Sequence, residues 1–108
     1  YTDWIKRSLI LLGWNLRNID YPLESFFSGV FEKRGLLVGL TTATEFRVDS
    51  LNIKQHEYFI DKGSIDFSLL IAPIVQKDIK EFLASKNKIF ILEHKDLIYL
   101  PSKIREIM

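Results

Sequence analysis

Between Ile65 and Leu100 the spacing of apolar residues changes twice, and each change marks an element boundary. Phe67, Leu69, Leu70, Ile71 and Ala72 form a nearly continuous apolar run closed by Pro73. An unbroken run, rather than alternation, predicts a strand covered on both faces, as in parallel or mixed sheets. Proline lacks a ladder donor and disfavours helix at the residue before it, so Pro73 marks the strand exit. From Ile74 onward Val75, Ile79, Phe82 and Leu83 make one helical stripe, while Lys77, Lys80 and Glu81 point elsewhere. Lys86, Asn87 and Lys88 end that helix, with cations suited to its negative terminus. Ile89, Phe90, Ile91 and Leu92 then predict a second buried strand, parallel to the first and joined to it by a right-handed crossover. A helix hairpin is the alternative, and the aromatic and β-branched content of both runs argues against it.

Elsewhere the pattern is read with more competition between periods. Asp3 caps a first helix with Trp4, Ile5, Leu9, Leu12 and, where it runs on, Leu16 on its buried face, interrupted at Gly13 before a turn or short strand. Pro22 suits the first turn of a second helix over residues 23–33, with Phe26, Phe27, Val30 and Phe31 as a core-facing aromatic face. Lys33, Arg34 and Gly35 read as its C-terminal cations and capping glycine. Residues 36–40 predict a third strand, which Thr41, Thr42 and Thr44 either prolong or end. Residues 45–60 fit neither period well. A helix over 49–59 competes there with a loop and a strand over 57–60. Residues 61–64 are a turn. Leu97 to Leu100 fit an edge strand or a short helix, and Pro101 opens a last helical turn over 103–108. The expected fold class is α/β: a mixed sheet of three to five strands flanked by helices.

Composition narrows this picture modestly. A chain of 108 residues, 47% hydrophobic, supports one core and so a single domain over 1–108. It begins at Tyr1, which suggests a processed chain or a piece of a longer protein. A net charge of +1 makes no global case for nucleic acid, so any basic surface has to be local. With no cysteine there is neither a disulfide nor a thiolate metal site, and a reducing, cytoplasmic setting is natural. No apolar run approaches a membrane span. No phosphate loop or nucleophile elbow is present, and His56 and His94 stand too far apart to suggest a zinc site by spacing.

Carboxylates are the stronger lead. Asp20 and Glu24 bracket the start of the second predicted helix, and Glu45 and Asp49 follow the third strand. Magnesium takes hard oxygen ligands and commonly bridges protein carboxylates to phosphate. The structural alternative is that Asp20 caps a helix and that Glu45 and Asp49 lie in a solvated loop. The local phosphate candidates are Lys33 and Arg34, then Arg47, Lys54 and His56. An arginine such as Arg47 can clamp an anion through two hydrogen bonds, whereas Lys54 acts as a point charge. Lys77 and Lys80, with Lys86 and Lys88, form a second basic surface that would position DNA without reading its sequence.

Two stretches, LLGWNLR and IDFSLLIAPIVQKDIKEFL followed by KIFILEHKDLIYL, resemble the restriction-endonuclease-like superfamily. The first is similar to its opening helix, glycine and strand, and the second to its late strand–helix–strand portion. The resemblance implies an acid before one strand and a Glu/Asp-x-Lys pattern on the next. Asp20 matches the first acid, but Gly39-Leu40-Thr41 stands where the second half is expected, so Glu45 would have to substitute in space. The implied function is a magnesium-dependent nuclease-related DNA-processing domain. In it Asp20, Glu45 and Asp49 hold Mg2+, and Arg47 or Lys54 offsets phosphoryl charge. The alternative is a non-catalytic protein-interaction, assembly or DNA-recognition module, acting as a homo-oligomer or inside a larger parent protein. A small-molecule enzyme or sensory domain is a third expectation.

Overall fold

The computed structural model describes residues 2–20, 23–42, 50–84 and 86–107. Helix α1 (Thr2–Leu11) turns into strand β1 (Asn15–Arg17), and one helical turn, α2 (Leu23–Phe26), leads to the hairpin of β2 (Gly29–Lys33) and β3 (Leu36–Thr42). Helix α3 (Ser50–Asp61), β4 (Phe67–Ala72), α4 (Lys77–Ala84) and β5 (Ile89–Glu93) then alternate. A 3-10 helix (His94–Tyr99) and α5 (Leu100–Ile107) follow. The five strands lie side by side in sequence order. Pairs β1–β2 and β2–β3 are antiparallel, and β3–β4 and β4–β5 are parallel, so β2 alone runs against the rest.

The late strand–helix–strand unit stands where its spacing puts it. Its strand β4 is covered on both faces. Leu69 and Ile71 pack with Ile5 and Leu9 of α1 and Leu100 and Ile104 of α5. Leu70 and Ala72 pack with Ile53 of α3 and Ile79 and Leu83 of α4. Each fully buried leucine or isoleucine contributes roughly 1.5–3 kcal/mol. The result is three layers, helix on sheet on helix. Among the described residues no helix is long and apolar enough to cross a membrane.

Two helices end in the same glycine motif. Gly13 (φ +95°) donates to Ile10 C=O at 3.0 Å while Trp14 N–H reaches Leu9 C=O at 3.0 Å. Gly63 (φ +82°) donates to Ile60 C=O at 3.0 Å while Ser64 N–H reaches Phe59 C=O at 3.0 Å. Only a residue without Cβ adopts that left-handed position cheaply, so these glycines stop α1 and α3 and aim the chain at the sheet. Trp14 thereby lands in the core beside Leu9.

The predicted helix over residues 23–33 is corrected. Only one turn forms, and Gly29–Lys33 is a strand. Residues 26, 27, 30 and 31 suit a helical face, but Val30 and Phe31 point to opposite faces of the sheet, into different clusters. Lys33, Arg34 and Gly35 do not cap a helix. Arg34 (φ 54°) and Gly35 (φ 82°) are the two central residues of a two-residue hairpin turn whose twist matches the strands. Thr41 and Thr42 prolong β3, whereas Thr44 lies outside the described residues. Of the two readings for 45–60, the helix is correct from Ser50 onward. Trp4, expected in the core, is 53% exposed.

Gly39 sits mid-strand with Val38 and Leu40 directed at α1 and α5, so a side chain at 39 would face the other layer. A Cβ there would lie 2.6 Å from Phe27 Cε1 and 3.0 Å from Ile65 Cδ1. Gly39→Ala is therefore expected to destabilise the fold by about 1–3 kcal/mol through overpacking, read as a lowered urea midpoint. An unchanged midpoint would show that Phe27 yields freely.

Candidate functional site

Because β2 alone is reversed, β1, β3, β4 and β5 all end on one rim, the edge where α/β sheets commonly bind ligands. At the β3 end of that rim the described groups include a cluster of hydroxyls. Thr42 Oγ1 lies 2.8 Å from Thr2 Oγ1 and 3.0 Å from Ser28 Oγ. Thr42 N–H donates to Ser28 Oγ at 3.2 Å, and Thr41 Oγ1 donates to Phe26 C=O at 3.2 Å. These groups satisfy one another and tie α1, α2, β2 and β3 together.

Asp20, three residues past β1, is exposed and belongs to the same rim. Glu45, Arg47 and Asp49 lie outside the described residues. Of the three carboxylates expected to hold magnesium, Asp20 alone is described, and among the described residues no group of three or more His, Asp or Glu is placed to hold a metal ion. Gly39, where the resemblance called for an acid, has no room for a side chain.

Among the described residues the predicted cations are spread over several elements. Lys33 Nζ donates to Leu12 C=O at 2.9 Å, pinning the hairpin to the end of α1, and Arg34 occupies the hairpin tip at the opposite end of the sheet from Asp20. Lys54 is exposed beside Phe26 and Tyr58, at a shallow depression of about 310 Å3. Lys77 stands 4.0 Å from Glu81 on the solvated side of α4. Lys80 pairs with the buried Glu93 at the end of β5, and Lys95 approaches the same carboxylate at 3.9 Å. The hydrogen bond from Lys80 holds the Glu93 carboxyl below the usual range despite burial, helped by both lysine charges and the Val75 backbone amide.

His56, expected as a phosphate contact, is instead interior. Its Nδ1 lies 2.6 Å from Ser68 Oγ, and its ring meets Phe27 edge-on at 5.2 Å. Burial pushes the imidazole down from 6.5 to about 4, so it is neutral at pH 7 and offers phosphate no charge.

A second surface feature is apolar. Between α1 and the start of α5 lies a groove of about 390 Å3, lined by Trp4, Leu11, Leu12, Ile98, Leu100 and Pro101, with Ser8 as its polar member. Leu11 is 88% exposed and Ile98 77%. Ser8 Oγ donates to Trp4 C=O at 2.8 Å, so its proton is already used inside the helix. The sequence carried a signal for this surface. Residues 4, 5, 9, 10, 11 and 12 make the apolar arc of α1 wider than one buried face needs. The buried face expected of this helix takes in Trp4, Ile5, Leu9 and Leu12 and leaves Ile10 and Leu11 unassigned.

No family model, curated protein or solved structure matches the chain.

Two stability measurements follow from the buried polar groups. As pH falls from 6.5 to about 4, the unfolded chain binds a proton at His56 that the folded chain excludes. Stability is therefore complete above pH 6.5 and drops by about 3 kcal/mol on reaching pH 4. Glu93 adds its own loss only below its ordinary 4.5, as it protonates through its lowered folded value. Urea midpoints across this range should show the His56 part vanish in His56→Gln, and a flat wild-type profile from pH 6.5 to 5 would refute it. Separately, Lys80→Ala leaves Glu93 buried without its nearest cation. A loss of about 1–2 kcal/mol at pH 7 is expected, limited because the ammonium is half-exposed and screened.

Proposed function

We propose that the chain is a non-catalytic protein-interaction module built on a restriction-endonuclease-like α/β scaffold. The observation that carries this reading is the apolar groove between α1 and α5. Large apolar side chains are left in water there on two helices at once, and a contiguous patch of this kind marks a docking surface far more often than scattered exposure does. The order of elements supports the scaffold: an opening helix, glycine and strand, and a closing strand, helix and strand. The non-catalytic part is supported by the rim hydroxyls, which are spent on one another, and by Gly39 in mid-strand, which Phe27 closes over.

A second reading, the magnesium-dependent nuclease, is favoured by one placement. Asp20 follows β1 at the rim where β3 ends and α3 begins, and Glu45, Arg47 and Asp49 fall between those two elements in the sequence. Lys54, Lys77 and Lys80 also belong to helices that begin at that rim. Among the described residues Asp20 is the one member of the expected carboxylate set, and no group of three or more His, Asp or Glu is placed to hold a metal ion.

The two readings separate in solution. Duplex DNA incubated with the intact protein and Mg2+ at low salt is expected to stay uncut. Anilinonaphthalene sulfonate is expected to fluoresce on the folded protein and to lose that signal in the doubly substituted Leu11→Asp, Ile98→Asp variant. Cleavage that needs Mg2+ and disappears in Asp20→Ala would replace the interaction reading with the nuclease one. Salt-sensitive DNA binding without cleavage would replace it with a DNA-recognition role.

A further inference from the structure

We infer that the groove between α1 and α5 takes an acidic amphipathic helical segment of another protein, its carboxylates held by Arg7 and Arg105. The occupant follows only if the groove is an interface, as proposed above. Its lining is apolar apart from the Trp4 indole N–H and Ser8, whose proton is spent within its own helix, so the inserted face has to be largely apolar. From Trp4 to Leu11 the α1 wall runs about 10 Å, two helical turns. That length matches a partner helix presenting anchors at i, i+3, i+4 and i+7.

Charge selects among such helices. Arg7 is three residues after Trp4 and four before Leu11, so it stands on the outer lip of the α1 wall. Arg105 is four residues after Pro101 and stands on the corresponding lip of α5. The neighbouring cations face away. Lys6 reaches toward Gly29 on the β2 side of α1, and Lys103 lies over the Phe90 ring on the β5 side of α5. Ion pairs among the described residues engage Arg17, Lys77, Lys80, Lys86 and Lys95, and neither Arg7 nor Arg105 is among them. Both guanidiniums are exposed and flank apolar surface, where a carboxylate gains a charge-assisted bond in a partly desolvated seam. A second copy of this chain would bring the same two arginines to a symmetric contact and set like charges across it.

The probe is a fluorescent helical peptide of about 14 residues with leucine at i, i+3, i+4 and i+7 and glutamate on both flanks. Its control carries lysine at the glutamate positions. Anisotropy with the intact protein at low salt is expected to show the glutamate peptide binding at least about tenfold tighter than the lysine peptide. In the Arg7→Glu, Arg105→Glu variant that preference should reverse, while Leu11→Asp with Ile98→Asp should abolish binding of both. These four positions are exposed, so circular dichroism should report unchanged folds. Equal binding of the two peptides would overturn the acidic occupant and leave the interface standing. Self-association lost in the Leu11→Asp, Ile98→Asp variant, with no peptide bound, would overturn it in favour of a second copy. Neither peptide binding nor self-association would overturn both this inference and the interaction reading beneath it.

Discussion

The parallel pairing of β3, β4 and β5 sets the terms for everything around it. Parallel neighbours need crossover connections, and here those connections are α3 and α4, which pack together on one face of the sheet. Leu69, Ile71 and Leu92 on the other face are equally apolar and cannot be left in water. Their cover has to come from outside the crossover unit, and α1 and α5 supply it from opposite ends of the sequence.

That division of labour explains the asymmetry of the surface. Helices α3 and α4 are locked to the strands they connect, and the cluster between them and the sheet is filled by Ile53, Val75, Ile79 and Leu83. Helices α1 and α5 each send one apolar stripe into the core, through Ile5 and Leu9 and through Leu100 and Ile104. The stripes beside those, carrying Trp4 and Leu11 on one helix and Ile98 and Pro101 just before and within the other, face the seam, and among the described residues no further helix or strand covers it. The groove is thus a consequence of covering a broad sheet face with two helices that no loop ties together.

Polar groups in the interior follow a different logic from the groove. His56 and Ser68 satisfy each other, and Glu93 is matched by Lys80 and the Val75 amide. Both arrangements join a helix to a strand, α3 to β4 and α4 to β5, so buried polarity here stitches layers together. The rim hydroxyls act likewise, linking α1 to β3 and β2 to β3. On the α1–α5 side, exposed arginines (Arg7, Arg105) stand near exposed apolar side chains (Leu11, Ile98).

Local order alone determined a good part of this protein. The runs at Phe67–Ala72 and Ile89–Glu93, the stripe of α4, the β3 apolar run and the glycine stop at Gly63 each state their element within a few residues, because period and turn chemistry are short-range properties. Tertiary structure decided the rest. Phe26, Phe27, Val30 and Phe31 suit a helix by spacing, but hydrogen bonds to β1 and β3, distant partners that no local pattern displays, draw Val30 and Phe31 into a strand and leave Phe27 to close over Gly39. Lys33 and His56 read as free groups until Leu12 C=O and Ser68 Oγ claimed them. Which tryptophan is core, Trp14 or Trp4, depends on where α5 lies over the sheet, and a single helix cannot record the position of another packed beside it.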